Sequence, residues 1–164
     1  MEEAAYCMEQ ATDRCKMYCG EKNQMYSALS EELARMYNAA GRREESLACH
    51  LAVRNQLLKN GYREGSMLLM VDNNMSVVYL DLGRPEEAIP YLTEALELTK
   101  ENGLVGSAVA EPTWNLARVY RALGDEEKED IYLKAAVEGF RECYPPEHPK
   151  RIAAEQRLKE RQGE

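Results

Sequence analysis

The sequence predicts an all-α fold: a right-handed α-solenoid of antiparallel helix pairs, with about eight helices. One short pattern recurs three times, as Leu33-Ala34 with Tyr37 and Gly41, Met75-Ser76 with Tyr79 and Gly83, and Leu116-Ala117 with Tyr120 and Gly124. Its glycines fall 42 and 41 residues apart. A second series, Gly20, Gly61 and Gly103 followed by Pro145-Pro146, keeps the same step half a period out of phase. A glycine just past a helix supplies a left-handed residue that ends it, so two interleaved series mean two helices per repeat. No stretch reads as a strand.

The helices follow in order between these stops. The first, at 2–19, places Ala4, Met8, Ala11, Cys15 and Tyr18 on one face and ends at Gly20. It reads as the second helix of a pair whose first helix is missing, which leaves an apolar face open. Three explanations stand: a fragment of a longer protein, a helix folded back as an irregular cap, or docking on another copy. Self-association as a homodimer would run through Met8, Cys15 and Tyr18. Helices at 23–40 and 44–60 form the next pair, closed by Gly41 and Gly61.

The helix at 65–82 carries the run Met67-Leu68-Leu69-Met70-Val71, apolar on all sides. Neighbours packed on both flanks explain such a run, and its methionines also suit an adaptable groove floor. At 85–102, Ala88, Leu92, Ala95, Leu96 and Leu98 make an apolar stripe at helical spacing. Pro85 sits comfortably in its first turn, whereas Pro90 either bends the helix or moves its start, and a local bend is expected there. Helices at 107–123 and 126–143 form the last full pair. The final helix, 148–161, ends in the charged run Arg157-Leu158-Lys159-Glu160-Arg161, which can face water as a cap. One repeat domain, 1–164, thus divides into a half repeat at 1–22, repeats at 23–64, 65–106 and 107–147, and a capping helix at 148–164.

At this level of detail the chain resembles the tetratricopeptide repeat. That family's Leu-Ala, Tyr, Gly, Ala, large apolar and Ala positions are filled by Met75-Ser76, Tyr79, Gly83, Ala88, Leu92 and Ala95. The third copy has Leu116-Ala117, Tyr120, Gly124, Leu133 and Ala136 but Glu129 where a small residue is expected, and the first has Ser46, His50 and Val53 in its second helix. The long period, with Asn73-Asn74 and the turn from Tyr144 to Pro149, is similar to the kinesin-light-chain variety. There a His-Pro turn opens the first helix and paired asparagines follow. Other copies hold Glu31-Glu32, Trp114-Asn115 and Gln156-Arg157 at the paired places.

Composition narrows the function. With 45% hydrophobic residues in 164 and little glycine or proline, one array accounts for the chain. No apolar run approaches a membrane span and no signal segment opens the chain, so a cytoplasmic protein is expected, without a membrane partner. A net charge of −8 argues against nucleic acid. The basic cluster Lys150, Arg151, Arg157, Lys159 and Arg161 reads as a solvated capping helix. Five cysteines, an odd set, read as reduced thiols. Cys15 and Cys19 lie one turn apart with Cys7 near the same face, but such spacing is a weak zinc signal, and no metal or cofactor is assigned. His50 occupies a helix-packing place and His148 a turn, so no catalytic centre is expected.

The resemblance implies a noncatalytic protein-interaction module whose first helices line a concave groove for a protein or peptide partner. Its groove places hold Arg35, Asn38, Asn73, Asn74, Val77, Trp114, Asn115, Arg118 and Arg121. Asn74 and Asn115 either clasp the main chain of an extended peptide or cap neighbouring helices. Trp114 offers a rigid anchor or packs in the core, since the family's tryptophan position falls at Thr113. Arg118 with Arg121 suits an acidic side chain or terminal carboxylate. Glu31 and Glu32 replace the positive and amide groups with which chaperone-binding members of the family hold an acidic tail, so that ligand would be repelled. The alternative role is a self-associating or sensor segment of a larger regulator.

Overall fold

A computed structural model describes residues 2–61 and 66–163. Its helices are α1 (Glu2–Cys19), α2 (Gln24–Ala39), α3 (Arg43–Lys59), α4 (Ser66–Asp81), α5 (Ile89–Glu101), α6 (Ser107–Leu123), α7 (Glu126–Cys143) and α8 (Pro149–Gln162). No strand occurs among the described residues. The chain divides into two compact units, Met1–Gly83 and Arg84–Glu164. The expected repeat boundary at 64/65 lies outside the described residues.

The recurring tyrosine and glycine have a backbone reason. At the end of α2, Gly41 takes φ +79°, its N–H donates to the Asn38 carbonyl at 3.0 Å, and the Arg42 N–H donates to the Tyr37 carbonyl at 2.9 Å. At the end of α6, Gly124 repeats this with Arg121, and Asp125 donates to Tyr120 at 3.0 Å. This paired closure satisfies carbonyls that a helix end leaves open, and it fixes the four-residue spacing from tyrosine to glycine. The next helix starts at once, with Asp125 Oδ1 accepting from the Lys128 N–H at 3.1 Å. His148 opens α8 in the same way, Nδ1 accepting from the Lys150 N–H at 3.3 Å ahead of Pro149.

Pro90 moves a helix start. Pro85–Ala88 form a 3-10 turn and α5 begins at Ile89, which puts Pro90 in the first turn, where its missing N–H costs nothing. Pro112 lies well inside α6, where it does remove a donor.

In the first unit α2 packs on α1 and α3, and α3 on α4. Its core holds Leu33, Tyr37, Leu47, Val53, Leu57, Leu68, Met75 and Val78. Within the run 67–71, Leu68, Leu69 and Val71 are buried, whereas Met70 is exposed. The face of α1 differs from the expected one. Ala5, Thr12 and Cys15 are buried and Met8 packs partly against Leu33 and Tyr37, while Ala4, Ala11 and Tyr18 face water. The Thr12 hydroxyl donates to the Met8 carbonyl at 2.8 Å, so it enters the contact without a lost hydrogen bond.

In the second unit α6 and α7 approach closely around Gly139, and Leu133, Val137, Phe140 and Ala154 form the core with Ala110 and Ala117. An added Cβ at Gly139 would lie 2.9 Å from the Ala110 Cβ. Gly139→Ala is therefore expected to lower stability by about 1–3 kcal/mol through overpacking, despite the gain of about 1 kcal/mol in helix propensity. Adding Ala110→Gly should restore much of the loss. Urea unfolding checks this, and an unchanged midpoint in the single variant would show that the helices separate freely.

Titration brackets the stable range. Hydrogen bonds from Arg42, Arg84, Arg161 and Arg141 hold the carboxyls of Glu45, Glu87, Asp130 and Glu155 below their ordinary values. Stability from such groups is complete above those ordinary values of about 4 and is lost as pH falls through the lower folded values. Burial, then the hydrogen bond to Glu111, pushes Tyr144 up to about 12. That contribution is complete below the ordinary tyrosine value of about 10 and is lost as pH rises toward 12. Thermal melts should be nearly flat from about pH 5 to 9 and fall on both sides.

Candidate partner-binding surface

Buried carboxylates and the groups that meet them set the floor of the candidate surface. Glu31 on α2 is 2% exposed and His50 on α3 is 1% exposed, and His50 Nδ1 lies 2.5 Å from Glu31 Oε1. Asn74 Nδ2 on α4 donates to Glu31 Oε2 at 3.0 Å, so one carboxylate ties three helices. One layer away, Arg54 Nε donates to Asp72 Oδ1 at 2.7 Å. Burial, and then the Glu31 charge, pushes the Cys49 thiol up, which keeps it protonated.

Above this floor the first unit has a pocket of about 230 Å³ lined by Arg35, Asn38, His50, Asn74 and Val77. Arg35 is exposed and pairs with Glu32 at 2.9 Å. Asn38 Nδ2 reaches Asp81 Oδ2 at 3.5 Å, whereas Asn38 Oδ1 is buried with no hydrogen-bond donor among the described residues. An acceptor in that state favours a ligand that supplies an N–H or O–H. Four expected groove residues, Arg35, Asn38, Asn74 and Val77, thus meet in one place. Asn73 does not join them; its carbonyl accepts from the Ser76 hydroxyl at 2.6 Å.

The second unit builds a different pocket. Trp114 sets its ring edge-on to Phe140, with centroids 6.4 Å apart, and is partly buried against the core. Beside it a cavity of about 80 Å³ is lined by Trp114, Arg118, Arg121, Glu129 and Arg157. Glu129 is 3% exposed and accepts from Arg157 Nε at 2.7 Å and Nη2 at 3.1 Å. Arg121 is exposed and has no ion pair among the described residues. Asn115 is 7% exposed and its Oδ1 accepts from Arg118 at 3.3 Å, so it offers little to a peptide.

The residues expected to mediate self-association separate. Cys15 is buried and Met8 half-buried, both inside their own unit, because the α1 face is turned by one residue toward Ala5 and Thr12. Tyr18 is exposed, as are Tyr6, Met17 and Met25. The spacing argument missed His50, Glu129 and Arg157 as pocket residues. For His50 and Glu129 the available signal was an ionisable group where the repeat places an apolar or small one, whereas Arg157 falls at a paired-asparagine place, where a polar residue gives no such signal.

Residues 67–142 match the family model for the tetratricopeptide repeat. This stretch is a tetratricopeptide-repeat array. No curated protein matches the chain by sequence. Two crystal structures of the nearly identical TPR-like repeats of a Podosopora anserina protein named as a kinesin light chain, one of them a variant, align with 99% of this chain at 23% identity. Their TM-scores are 0.81 and 0.79, with 78% and 79% of those chains covered. BtubC (BKLC) from P. vanneervenii aligns with 99% of this chain and 73% of its own at 18% identity, with a TM-score of 0.79. These likenesses show the fold, an all-α tetratricopeptide-like repeat. Among the described residues no helix is long and apolar enough to cross a membrane.

The repeat also accounts for the buried pair of Glu129 and Arg157. Ser46, Ala88 and Glu129 hold equivalent small-residue places, all nearly inaccessible, and Glu129 is accommodated because Arg157 of α8 meets it. Arg157→Ala strands that carboxylate and is expected to cost about 3 kcal/mol or more. Glu129→Ala with Arg157→Leu should recover most of it, since the pair restores the family's small residue with an apolar neighbour. Chemical denaturation of the three chains decides this; equal stability of the single and double variants would sink the argument.

Proposed function

We propose that this tetratricopeptide-repeat chain is a noncatalytic interaction module that takes an extended partner segment on its first-helix surfaces. Tetratricopeptide folds generally serve protein–protein interaction, and the observation that carries the finer reading is the Trp114 pocket. It sets an aromatic ring beside Arg121, whose charge has no ion-pair partner among the described residues. Arg157, on the same pocket, is instead held by Glu129. Such a site suits an apolar side chain next to a carboxylate. The first-unit pocket adds a demand for a donor at Asn38. Asn74 acts here by holding Glu31, and contributes to binding by fixing the floor rather than by clasping main chain.

Trp114 is the one tryptophan in the chain, so its fluorescence reports on the pocket directly. A peptide-library screen against the whole chain should select segments with an apolar residue next to Asp or Glu. Those peptides should shift the Trp114 emission, and Arg121→Glu should weaken them about tenfold or more by placing like charge at the site. Selection of peptides without acidic residues, or equal binding by Arg121→Glu, would overturn the reading.

A further inference from the structure

The first unit carries a second concavity that shares no residue with either pocket above. It holds about 610 Å³, within the usual range for small-molecule sites, and Lys16, Lys22, Lys59, Glu21, Tyr26 and Gln56 line it. Three lysines thus face one glutamate in a chain whose net charge is −8. That glutamate is engaged: Lys16 Nζ lies 2.6 Å from Glu21 Oε1. The Lys16 hydrogen bond and charge, and then the charge of Lys59, hold its carboxyl below the usual range. Lys22 and Lys59 have no ion pair at bonding distance among the described residues.

The decisive group is Gln56. Its Nε2 is buried and donates to nothing among the described residues, although an amide N–H without an acceptor is costly to bury. A ligand oxygen in the cleft would satisfy it. Lysines at the ends of α1 and α3 also offset the carbonyl ends of those helices, which explains two lysines but neither Lys22 nor the orphan amide.

We propose that this cleft binds a small molecule bearing two or more phosphate groups, with Lys22 and Lys59 compensating its charge and Gln56 donating to a phosphate oxygen. Phosphate fits because it offers several strong acceptors at once, which a cleft rich in N–H donors needs. A cleft of this volume has room for a whole small molecule rather than a single side chain of a partner protein.

Calorimetric titration of the whole chain with pyrophosphate and with inositol hexakisphosphate, at fixed ionic strength, tests this. Saturable one-to-one binding is expected, weakened about tenfold or more by Lys22→Ala with Lys59→Ala and unchanged by Lys134→Ala on α7. Gln56→Glu should abolish binding, because it replaces the donor with a carboxylate that repels a phosphate oxygen. Circular dichroism confirms that each variant folds. Absence of saturable binding, insensitivity to the double lysine change, or capture of a phosphoserine peptide but neither free polyphosphate would overturn the proposal.

Discussion

A carboxylate buried between helices must be met by charge or by donors from the neighbouring helices, and that requirement organises both units. Glu31 satisfies it with His50 and Asn74, drawing α2, α3 and α4 to one point. Glu129 satisfies it with Arg157, drawing α8 onto α7. Leucine contacts tolerate small slips along a helix, but a two-oxygen acceptor with fixed partners does not. Stripes of Leu, Val and Ala therefore supply most of the burial, while these pairs fix the register of one helix on the next.

The helix ends supply the second constraint. Each repeat must reverse the chain within two or three residues, and the closure at Tyr37 to Arg42 and at Tyr120 to Asp125 does so with the same two backbone hydrogen bonds. The tyrosine side chains then serve different neighbours. Tyr37 donates to Glu9 at 2.7 Å beneath the Arg42 guanidinium, and Tyr120 stacks on Tyr132 with centroids 5.4 Å apart. A conserved spacing of backbone roles thus carries two unrelated side-chain environments, as expected of repeats whose neighbours differ.

Local rules made the helices legible. Glycines, prolines and apolar periodicity act within a few residues, so most ends of α2 to α8 follow from them. The start of α5 does not, since the sequence predicts a helix from 85 with a bend at Pro90 and a 3-10 turn precedes Ile89 instead. What the sequence hid depends on distance. His50 reads as a core histidine by its place, but its partner lies 19 residues away, and Arg157 lies 28 residues from Glu129. On α1, small residues on both sides of the helix left the inward face ambiguous, and Thr12 entered the core because its hydroxyl bonds back to its own helix. Asn115 shows the same limit: the repeat places it correctly on α6, yet burial and Arg118 decide what it can touch.

The acidic balance of the chain gives its cations unequal standing. Arg42, Arg141, Arg157 and Arg161 each lie within 3.3 Å of a carboxylate on another helix and are occupied in holding helices together, and Arg84 is taken up by Glu87 in its own turn. A cation already paired offers an incoming anion little, because the new contact must replace an existing one. Arg121 beside Trp114, and Lys22 with Lys59 around Gln56, lack such pairs among the described residues. Electrostatic recognition in this chain is thus set less by its total of basic residues than by which ones the helix packing leaves unspent.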